Sequence, residues 1–404
     1  MRYLKSSWLV LCDKNFTIIK DGFVVFDDKI IDFGDQNRLQ KLYKSKKFVH
    51  LGANSVLMPG LVNPHIHLEF AANISTLQYG SFTLWLKTVL KYRDELIDKI
   101  DTSGIDKQLD DILKSGTTSI GAISSYGLDM NSCIKSKLKV TYFIEAIGQD
   151  ISKIDELFEN FQKKLKKALS FKSKNFTPAV AIHSPYSTGL SLIEKCLKIA
   201  KEKNLPVTAH FLESYDEKQW LEHNSGVMAE FFLEFFNKNR SSITADKFLE
   251  LFKDIKILSF VHCCYASKSQ LDYIIKQKAM IVHCPKSNML LGGKLLDIKD
   301  MNNISLGTDG LSSNDSLNMF DELKMALFMH QNIELETKAR VLLYMATNMA
   351  SKTLGQNTGQ IKVGHKADLI SFDIENKHIQ NLATNIILQE KEIKDIYIDG
   401  KKII

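Results

Sequence analysis

Two histidines one residue apart end an apolar run near residue 60. The run Pro59-Gly60-Leu61-Val62-Asn63-Pro64 continues directly into His65-Ile66-His67. In an extended chain, residues i and i+2 point to the same side, so His65 and His67 can reach one metal ion together. The spacing favours a metal-dependent hydrolase, although an isolated pair of histidines at a strand end is also typical of partly buried polar residues.

The same pattern, an apolar run followed by a histidine or an acid, recurs along the chain. Short apolar runs alternate with longer, lysine-rich helical segments, which is typical of a parallel α/β sheet. We predict eight strands, at residues 61–67, 117–121, 139–145, 178–183, 206–210, 256–262, 279–283 and 303–309. Eight strand and helix units are what a (β/α)8 barrel requires, and barrel enzymes assemble their sites at the carboxyl ends of the strands. We therefore expect the side chains that end these runs to converge at one mouth.

The two ends of the chain differ in character from its middle. Short strand-like pieces separated by turns such as Asp21-Gly22 occupy residues 1–57, and similar pieces with the turn Asp399-Gly400 follow residue 360. Short β segments at opposite chain ends are best explained by one small sandwich that both termini complete. The predicted architecture is an α/β fold: a distorted (β/α)8 TIM barrel over residues 58–359, with a small β-sandwich formed by residues 1–57 and 360–404.

Composition excludes several classes of protein. The 404 residues are 44% hydrophobic, which allows a large core. The longest apolar runs are far shorter than the roughly 20 residues that a membrane span needs, so no membrane partner is expected. The formal charge of +6 is spread over a lysine-rich surface without a dense basic block, so nucleic acid is not expected either. Six cysteines form no CxxC pair and no cleavable leader is evident, which predicts a cytoplasmic protein.

Six short motifs spread over the chain carry a family resemblance. They are Pro59-Gly60-Leu61-Val62-Asn63-Pro64-His65-Ile66-His67, His183-Ser184-Pro185-Tyr186-Ser187, His210-Phe211-Leu212-Glu213, Val261-His262-Cys263, His283-Cys284-Pro285-Lys286-Ser287-Asn288 and Gly307-Thr308-Asp309-Gly310. Together they resemble the amidohydrolase superfamily, specifically its branch of nucleobase and nucleoside deaminases. A later segment, Gly364-His365-Lys366-Ala367-Asp368-Leu369, is similar to the strand that re-enters the sandwich in this family. The resemblance runs through nearly the whole chain in the order of the family.

The resemblance implies one divalent metal ion, zinc or iron, with four ligands: His65, His67, His210 and Asp309. Three imidazoles and one carboxylate suit such an ion. It also implies that Glu213 passes a proton to the substrate ring, and that His262 orients the attacking water and shares its proton with Asp309. No lysine ends the fourth strand, where binuclear relatives place a carboxylated lysine, so a single metal ion is expected.

Substrate contacts are open to more than one interpretation. Glu69, just past the predicted ligands, could bond a sugar hydroxyl or an amino group, or it could be a structural carboxylate. His183 resembles the position that contacts the ring or the sugar in nucleoside deaminases. Trp85 and Phe82 lie in the connection after the first strand, where the family keeps a segment over the substrate. They are candidates for stacking on the substrate, with a place in the core as the alternative.

The implied activity is hydrolytic deamination of a 5'-modified adenine nucleoside. Within the superfamily the chain most resembles the aminofutalosine deaminases of menaquinone biosynthesis. Deamination of S-adenosylhomocysteine or methylthioadenosine, deamination of guanine, hydrolysis of a triazine, and a barrel without catalysis stay open as alternatives. The expected partners are a purine nucleoside and water, and a homodimer is compatible with the sequence. The chain has no PCxxC of the cytidine-type deaminases, no HExxH and no phosphate-binding loop.

Overall fold

The chain divides into two compact units. A computed structural model describes residues 1–70, 72–99, 102–299, 301–375 and 379–404. One unit comprises Met1–Asn63, Asp110–Ser119 and Asn318–Ile404, and the other comprises Pro64–Leu109 and Ile120–Leu317. The domain boundaries expected at residues 58 and 360 stay a prediction. Within the described ranges, no helix combines the length and apolar character that a membrane span requires.

The N-terminal segment contributes seven short strands. They are β1 Arg2–Lys5, β2 Trp8–Val10, β3 Ile18–Lys20, β4 Phe23–Phe26, β5 Ile30–Gly34, β6 Val49–His50 and β7 Ser55–Pro59. Four of them form one sheet in the order β5-β4-β1-β6, and the remaining three belong to a second sheet.

The eight predicted barrel strands are all present and follow one another in hydrogen-bonded order. They are β8 Leu61–Ile66, β9 Thr117–Ser124, β10 Lys139–Ala146, β11 Phe176–Ile182, β12 Val207–Phe211, β13 Leu258–His262, β14 Met280–His283 and β15 Ile304–Leu306. Their residues are almost continuously buried, as expected of parallel strands that are covered on both faces. The backbone N–H of Asp309 donates to the carbonyl of His65 (3.1 Å), which joins the two ends of the sheet. The sheet therefore forms the nearly closed (β/α)8 barrel that the sequence predicts.

Both chain termini complete the second sheet. The C-terminal strands are β16 Leu369–Asp373, β17 Ile393–Ile398 and β18 Lys401–Lys402. The six-stranded order is β18-β17-β16-β7-β2-β3, and β16 pairs antiparallel with β7 from Leu369 opposite Pro59. Leu9, Phe26 and Tyr397 belong to one buried apolar cluster of this unit. The prediction of a small β structure built by both termini is confirmed.

Helices occupy most of the connections. The α-helices are α1 Gln36–Tyr43, α2 Phe82–Asp98, α3 Thr102–Lys114, α4 Met130–Lys135, α5 Ile154–Ser170, α6 Leu190–Lys203, α7 Tyr215–His223, α8 Val227–Phe236, α9 Ala245–Leu251, α10 Lys268–Lys276, α11 Pro285–Leu290, α12 Met319–Met329, α13 Leu335–Tyr344, α14 Ala350–Thr353 and α15 Leu382–Leu388. Shorter turns are 3-10 helical at Leu68–Phe70, Ile151–Lys153 and Ile379–Asn381, and a π-helical turn spans Met345–Met349. The helices that follow β8 to β14 return the chain to the start of the next parallel strand, so the strand ends share one mouth.

Candidate metal and catalytic site

Four side chains at the strand ends lie close together. Nε2 of His65, in β8, is 3.2 Å from Nε2 of His67 and 3.2 Å from Nε2 of His210, in β12. Oδ1 of Asp309, just after β15, lies 3.5 Å from Nε2 of His65 and 3.5 Å from Nε2 of His67. The ligand atoms of His65, His67 and Asp309 all lie within 4.8 Å of one another. The structure thus brings the four predicted ligands to one point.

The four distances between these atoms fit ligands of one metal ion. Ligand atoms bound at about 2.0–2.1 Å to one tetrahedral ion lie roughly 3.3 Å apart, and the observed separations are 3.2 to 3.5 Å. Nδ1 of His210 is 2.6 Å from the backbone oxygen of His183, which can only accept a hydrogen bond. The ring proton of His210 therefore sits on Nδ1, and its Nε2 lone pair faces the other ligand atoms.

The ionisation states also suit a cation. Burial lowers the pKa of His67 to about 4, and burial together with neighbouring histidines lowers the pKa of His210 well below its usual value. Burial alone would raise the pKa of Asp309, but the hydrogen bond with His65 and the fields of His67 and His262 hold it well below its usual range. Neutral imidazoles and an ionised carboxylate are the forms in which these groups bind metal ions.

Two serines fix the far side of the Asp309 carboxylate. Oδ2 of Asp309 accepts hydrogen bonds from Oγ of Ser287 (2.8 Å) and Oγ of Ser313 (3.0 Å). The backbone N–H of Gly310 donates to Oδ1 (2.9 Å). The carboxylate is consequently held in one orientation, with Oδ1 towards His65 and His67.

Glu213 and His262 adjoin the same point. Oε2 of Glu213 lies 3.5 Å from Nε2 of His262, and Nε2 of His262 is 4.0 Å from Oδ2 of Asp309. Burial, followed by the charges of Asp309 and Glu217, raises the pKa of Glu213 well above its usual value. Nδ2 of Asn288 donates a hydrogen bond to Nδ1 of His262 (3.0 Å), which leaves the ring proton on Nε2. A buried acid with a raised pKa and an oriented imidazole are components of proton transfer.

The backbone is strained where the strands deliver these side chains. Leu212, His262 and Asp309 have φ angles of 45°, 70° and 62°, in the left-handed region that non-glycine residues seldom adopt. Such residues persist only when surrounding contacts hold them, and they concentrate at functional sites. These three turns change the backbone direction at the strand ends, so the side chains there point differently from those of a regular strand.

Glu69 holds a loop of the barrel mouth. Its side chain is 1% exposed, and Oε2 accepts from the backbone N–H groups of Ser125 (2.7 Å) and Tyr126 (2.9 Å). Oε1 accepts from the N–H of Leu128 (2.8 Å) and from Oγ of Ser124 (3.2 Å). The carboxylate accepts four hydrogen bonds. This is the arrangement expected if Glu69 is a structural carboxylate, one of the two interpretations left open by the sequence. A contact between Glu69 and the substrate stays a prediction.

The other predicted substrate contacts lie in an aromatic cluster. The His183 and Phe82 rings lie 5.9 Å and 6.0 Å from the Tyr186 ring, and Nδ1 of His183 is 2.5 Å from Oγ of Ser187. Phe82 is buried (3% exposed), which gives it a packing role. Trp85 is half-buried, lies 5.7 Å from Phe82 and donates from Nε1 to the carbonyl of Ser312 (2.9 Å). Their contact with a substrate stays a prediction.

Several residues that support the site were not singled out from the sequence. Ser287 and Ser313 bind Asp309, and Glu217 binds the backbone beside Glu213. Ser287 lies within the quoted motif His283-Cys284-Pro285-Lys286-Ser287-Asn288, so its position could have been found. Ser313 follows the last motif by only a few residues, in a loop without a distinctive pattern.

A sequence profile of the amidohydrolase family matches residues 56–403. The chain belongs to this family. Among its relatives, the aminodeoxyfutalosine deaminase of a Nitratiruptor species is 42% identical over 390 residues, which are 96% of each chain. The adenosine deaminase of Helicobacter pylori is 33% identical and covers 99% of this chain and 98% of its own.

Solved structures agree with this membership. The crystal structure of Helicobacter pylori aminofutalosine deaminase in complex with methylthio-coformycin superposes with a TM-score of 0.94 at 32% identity, over 100% of both chains. The zinc-bound atrazine chlorohydrolase of Arthrobacter aurescens has a TM-score of 0.80 at 16% identity, which shows the shared fold alone. The predicted (β/α)8 barrel fold is confirmed.

Proposed function

We propose that this protein is a metal-dependent hydrolytic deaminase that releases ammonia from the adenine ring of a 5'-modified adenine nucleoside, with 6-aminodeoxyfutalosine as the substrate. The observation that carries the proposal is the convergence of three imidazole Nε2 atoms and the Asp309 carboxylate beside the buried Glu213 carboxyl group. The choice of substrate is supported by the 42% identity to a relative named aminodeoxyfutalosine deaminase.

The proposed metal ligands are His65, His67, His210 and Asp309. A divalent ion bound there would supply Lewis acidity, lowering the pKa of water from 15.7 towards about 7. Zinc and iron both accept this set of nitrogen and oxygen donors.

The hydrogen bonds of His210 support a single ion. Glu145, His183 and His210 form another group whose ligand atoms lie within 4.8 Å of one another. However, Nδ1 of His210 is hydrogen-bonded to the His183 carbonyl, and its Nε2 faces His65. Nδ1 of His183 lies 2.5 Å from Oγ of Ser187. His210 therefore has no nitrogen left for a second ion, and we propose a mononuclear site.

Glu213 and His262 would handle the protons. Glu213 would transfer a proton to the ring nitrogen beside the amino-bearing carbon, which makes that carbon electrophilic. Burial raises the pKa of Glu213, which is the direction that favours its acid form. The Nε2 proton of His262 donates to the attacking water, and Asp309 accepts a proton from that water. The proton taken up by Asp309 would then pass to the leaving amine, which departs as ammonia, and Glu213 would recover a proton from the hydroxyl group left on the ring carbon, while His262 stays close to both carboxylates.

The substrate would lie against the aromatic cluster. We propose that the half-buried His183 and Trp85 contact the purine or the ribose, while Phe82 supports them from the buried side. Glu69 stays a predicted substrate contact, and its four hydrogen bonds also hold the loop at the barrel mouth.

An ammonia-release assay tests the proposal. The holoenzyme is offered aminodeoxyfutalosine, methylthioadenosine, S-adenosylhomocysteine, adenosine, guanine and a chlorotriazine, and we expect the highest kcat/KM for aminodeoxyfutalosine. Glu213→Gln should lower kcat by about 10²- to 10⁴-fold, since it removes the transferable proton. Full activity of that variant would refute the proton transfer. Two bound ions per chain would refute the mononuclear site. Absence of ammonia release from every purine would refute the substrate class.

Methylthioadenosine is the second candidate substrate. The structure of the Helicobacter pylori relative at 32% identity was determined with methylthio-coformycin. A higher kcat/KM for methylthioadenosine than for aminodeoxyfutalosine would favour this alternative.

We further propose a cytoplasmic enzyme of menaquinone biosynthesis. Deletion of its gene should abolish menaquinone, and cell fractionation should recover the protein with the cytoplasm. Light scattering after gel filtration would test the proposed homodimer.

A further inference from the structure

The carboxylate of Glu217 binds the backbone of the turn that carries Glu213. Glu217 is completely buried, in the first turn of α7. Its Oε1 accepts from the backbone N–H of Leu212 (3.1 Å), and its Oε2 accepts from the backbone N–H of Glu213 (2.8 Å). Both oxygens are thus directed at two consecutive amides, immediately before the helix begins.

This arrangement differs from an ordinary helix start. Ser214 caps α7 by accepting from the backbone N–H of Glu217 (3.1 Å), and a glutamate at this position normally reaches back to the amide of the capping residue. Here the carboxylate accepts from the backbone N–H groups of Leu212 and Glu213 in addition to that of Ser214. Burying a carboxylate completely is costly because it loses its hydration. The hydrogen bonds from the two backbone amides offset this cost, and they hold the turn before the helix in addition to capping it.

The turn that Glu217 holds is strained. Leu212 has a φ of 45°, and a non-glycine residue keeps that conformation only when its surroundings enforce it. The N–H of Leu212 is bound by Glu217, and its carbonyl accepts from the N–H of Tyr265 (2.9 Å). The peptide groups on either side of Leu212 are therefore fixed, and they set the direction in which the Glu213 side chain points.

We infer that Glu217 is a positioning residue for the reaction: it holds the Leu212–Glu213 turn so that the Glu213 carboxyl stays in register with His262 and the metal ligands. The inference rests on the proposed role of Glu213 as proton donor. Displacing a catalytic group by about 1 Å can cost about 100-fold in rate, so loss of this support acts on the chemical step.

The test is a double-mutant cycle. Glu217→Gln offers one acceptor and one amide group that faces an N–H, so one of the two hydrogen bonds is replaced by a clash of donors. We expect kcat to fall about 10- to 100-fold with KM changed by less than about twofold. In the Glu213→Gln background the same substitution should change kcat by less than about twofold, because there is no longer a carboxyl to position.

Two further variants complete the test. Glu222→Gln, on the same helix and with a 27% exposed side chain, is the matched control and should keep wild-type kinetics. Glu217→Asp keeps the charge but is too short to reach both amides, so it provides the same cycle if Glu217→Gln does not fold. Folding is checked by circular dichroism and thermal melting.

The outcomes separate the two ideas. A Glu217→Gln kcat equal to wild type, or a loss that multiplies fully with the Glu213→Gln loss, would overturn the positioning role while leaving the proposed function intact. If Glu213→Gln itself retained wild-type turnover, the proposed proton transfer would fail, and this inference with it.

Discussion

Gly310 provides a direct test of how tightly the metal ligands are placed. A Cβ added at Gly310 would lie 2.8 Å from Cβ of His67 and 3.1 Å from its carbonyl oxygen. Carbon atoms in contact are about 3.5 Å or more apart, so Gly310→Ala forces a displacement of roughly 0.7 Å. The φ of Gly310 lies outside the left-handed region, so steric overlap is the only penalty for alanine.

A shift of this size exceeds what a metal site tolerates. Ligand distances in protein metal sites hold to about 0.2 Å, and disturbing the groups that orient a ligand typically costs about 10- to 100-fold in metal affinity, or about 1.4–2.7 kcal/mol. Crowding a packed interior adds about 1–3 kcal/mol of lost stability. We therefore expect Gly310→Ala to bind its metal at least about 10-fold more weakly and to lose activity in proportion.

The assay compares metal occupancy and activity in one series. Wild-type and variant proteins are dialysed against graded concentrations of chelator, and bound metal, ammonia release and thermal melting are measured on the same samples. Gly104→Ala is the control, because no atom of the described residues lies within 4 Å of its added Cβ and alanine favours the helix by about 0.5–1 kcal/mol. If Gly310→Ala retained metal and kcat as well as Gly104→Ala does, the argument that His67 is held by close packing would be wrong.

Three further outcomes can be checked. Asn288→Leu removes the hydrogen bond to His262, so kcat should fall about 10- to 100-fold while metal content stays at one per chain; an unchanged kcat would contradict this. Burial and the charge of Glu69 raise the pKa of Asp129 from 3.8 to about 8. The folded chain therefore binds the extra proton between these values, and stability falls as pH rises through that window. Asp129→Asn should reduce this loss, seen as a smaller drop in melting temperature from about pH 5 to about pH 8.5, and parallel curves would count against it. Removing the metal with chelator should abolish ammonia release and lower the melting temperature, with recovery on adding zinc or iron; an unaltered melting temperature would argue against the site.

The barrel could be predicted because its strands carry two signals at once. Each is an apolar run, since both faces are covered, and most end in a histidine or an acid that the mouth requires. The apolar pattern does not locate the end of each strand to the residue. The predicted strand 303–309 is observed as Ile304–Leu306, because Asp309 enters a left-handed turn. A proposed metal ligand thus lies just beyond the regular strand.

Long-range support could not be predicted in the same way. The partners of Glu69 are Ser124 to Leu128, more than fifty residues away, and no local pattern links a carboxylate to distant backbone amides. Glu217 could have been identified from the sequence, because it lies four residues after Glu213 at the start of a helix. Its target, the strained turn before the helix, follows from the φ of Leu212, which the sequence does not disclose.

The strained turns at this site are each held by a neighbouring element. A left-handed residue costs about 1–3 kcal/mol and relaxes unless its amides are held. Glu217 holds the N–H of Leu212, and the carbonyl of His65 holds the N–H of Asp309. The N–H of Cys263, which follows the strained His262, donates to the carbonyl of Phe211 (2.9 Å). Each support connects the strained turn to another strand end or to a helix start. Groups placed in this way need little reorganisation when charge develops on a substrate, which is the condition under which fixed hydrogen-bonding groups accelerate a reaction most.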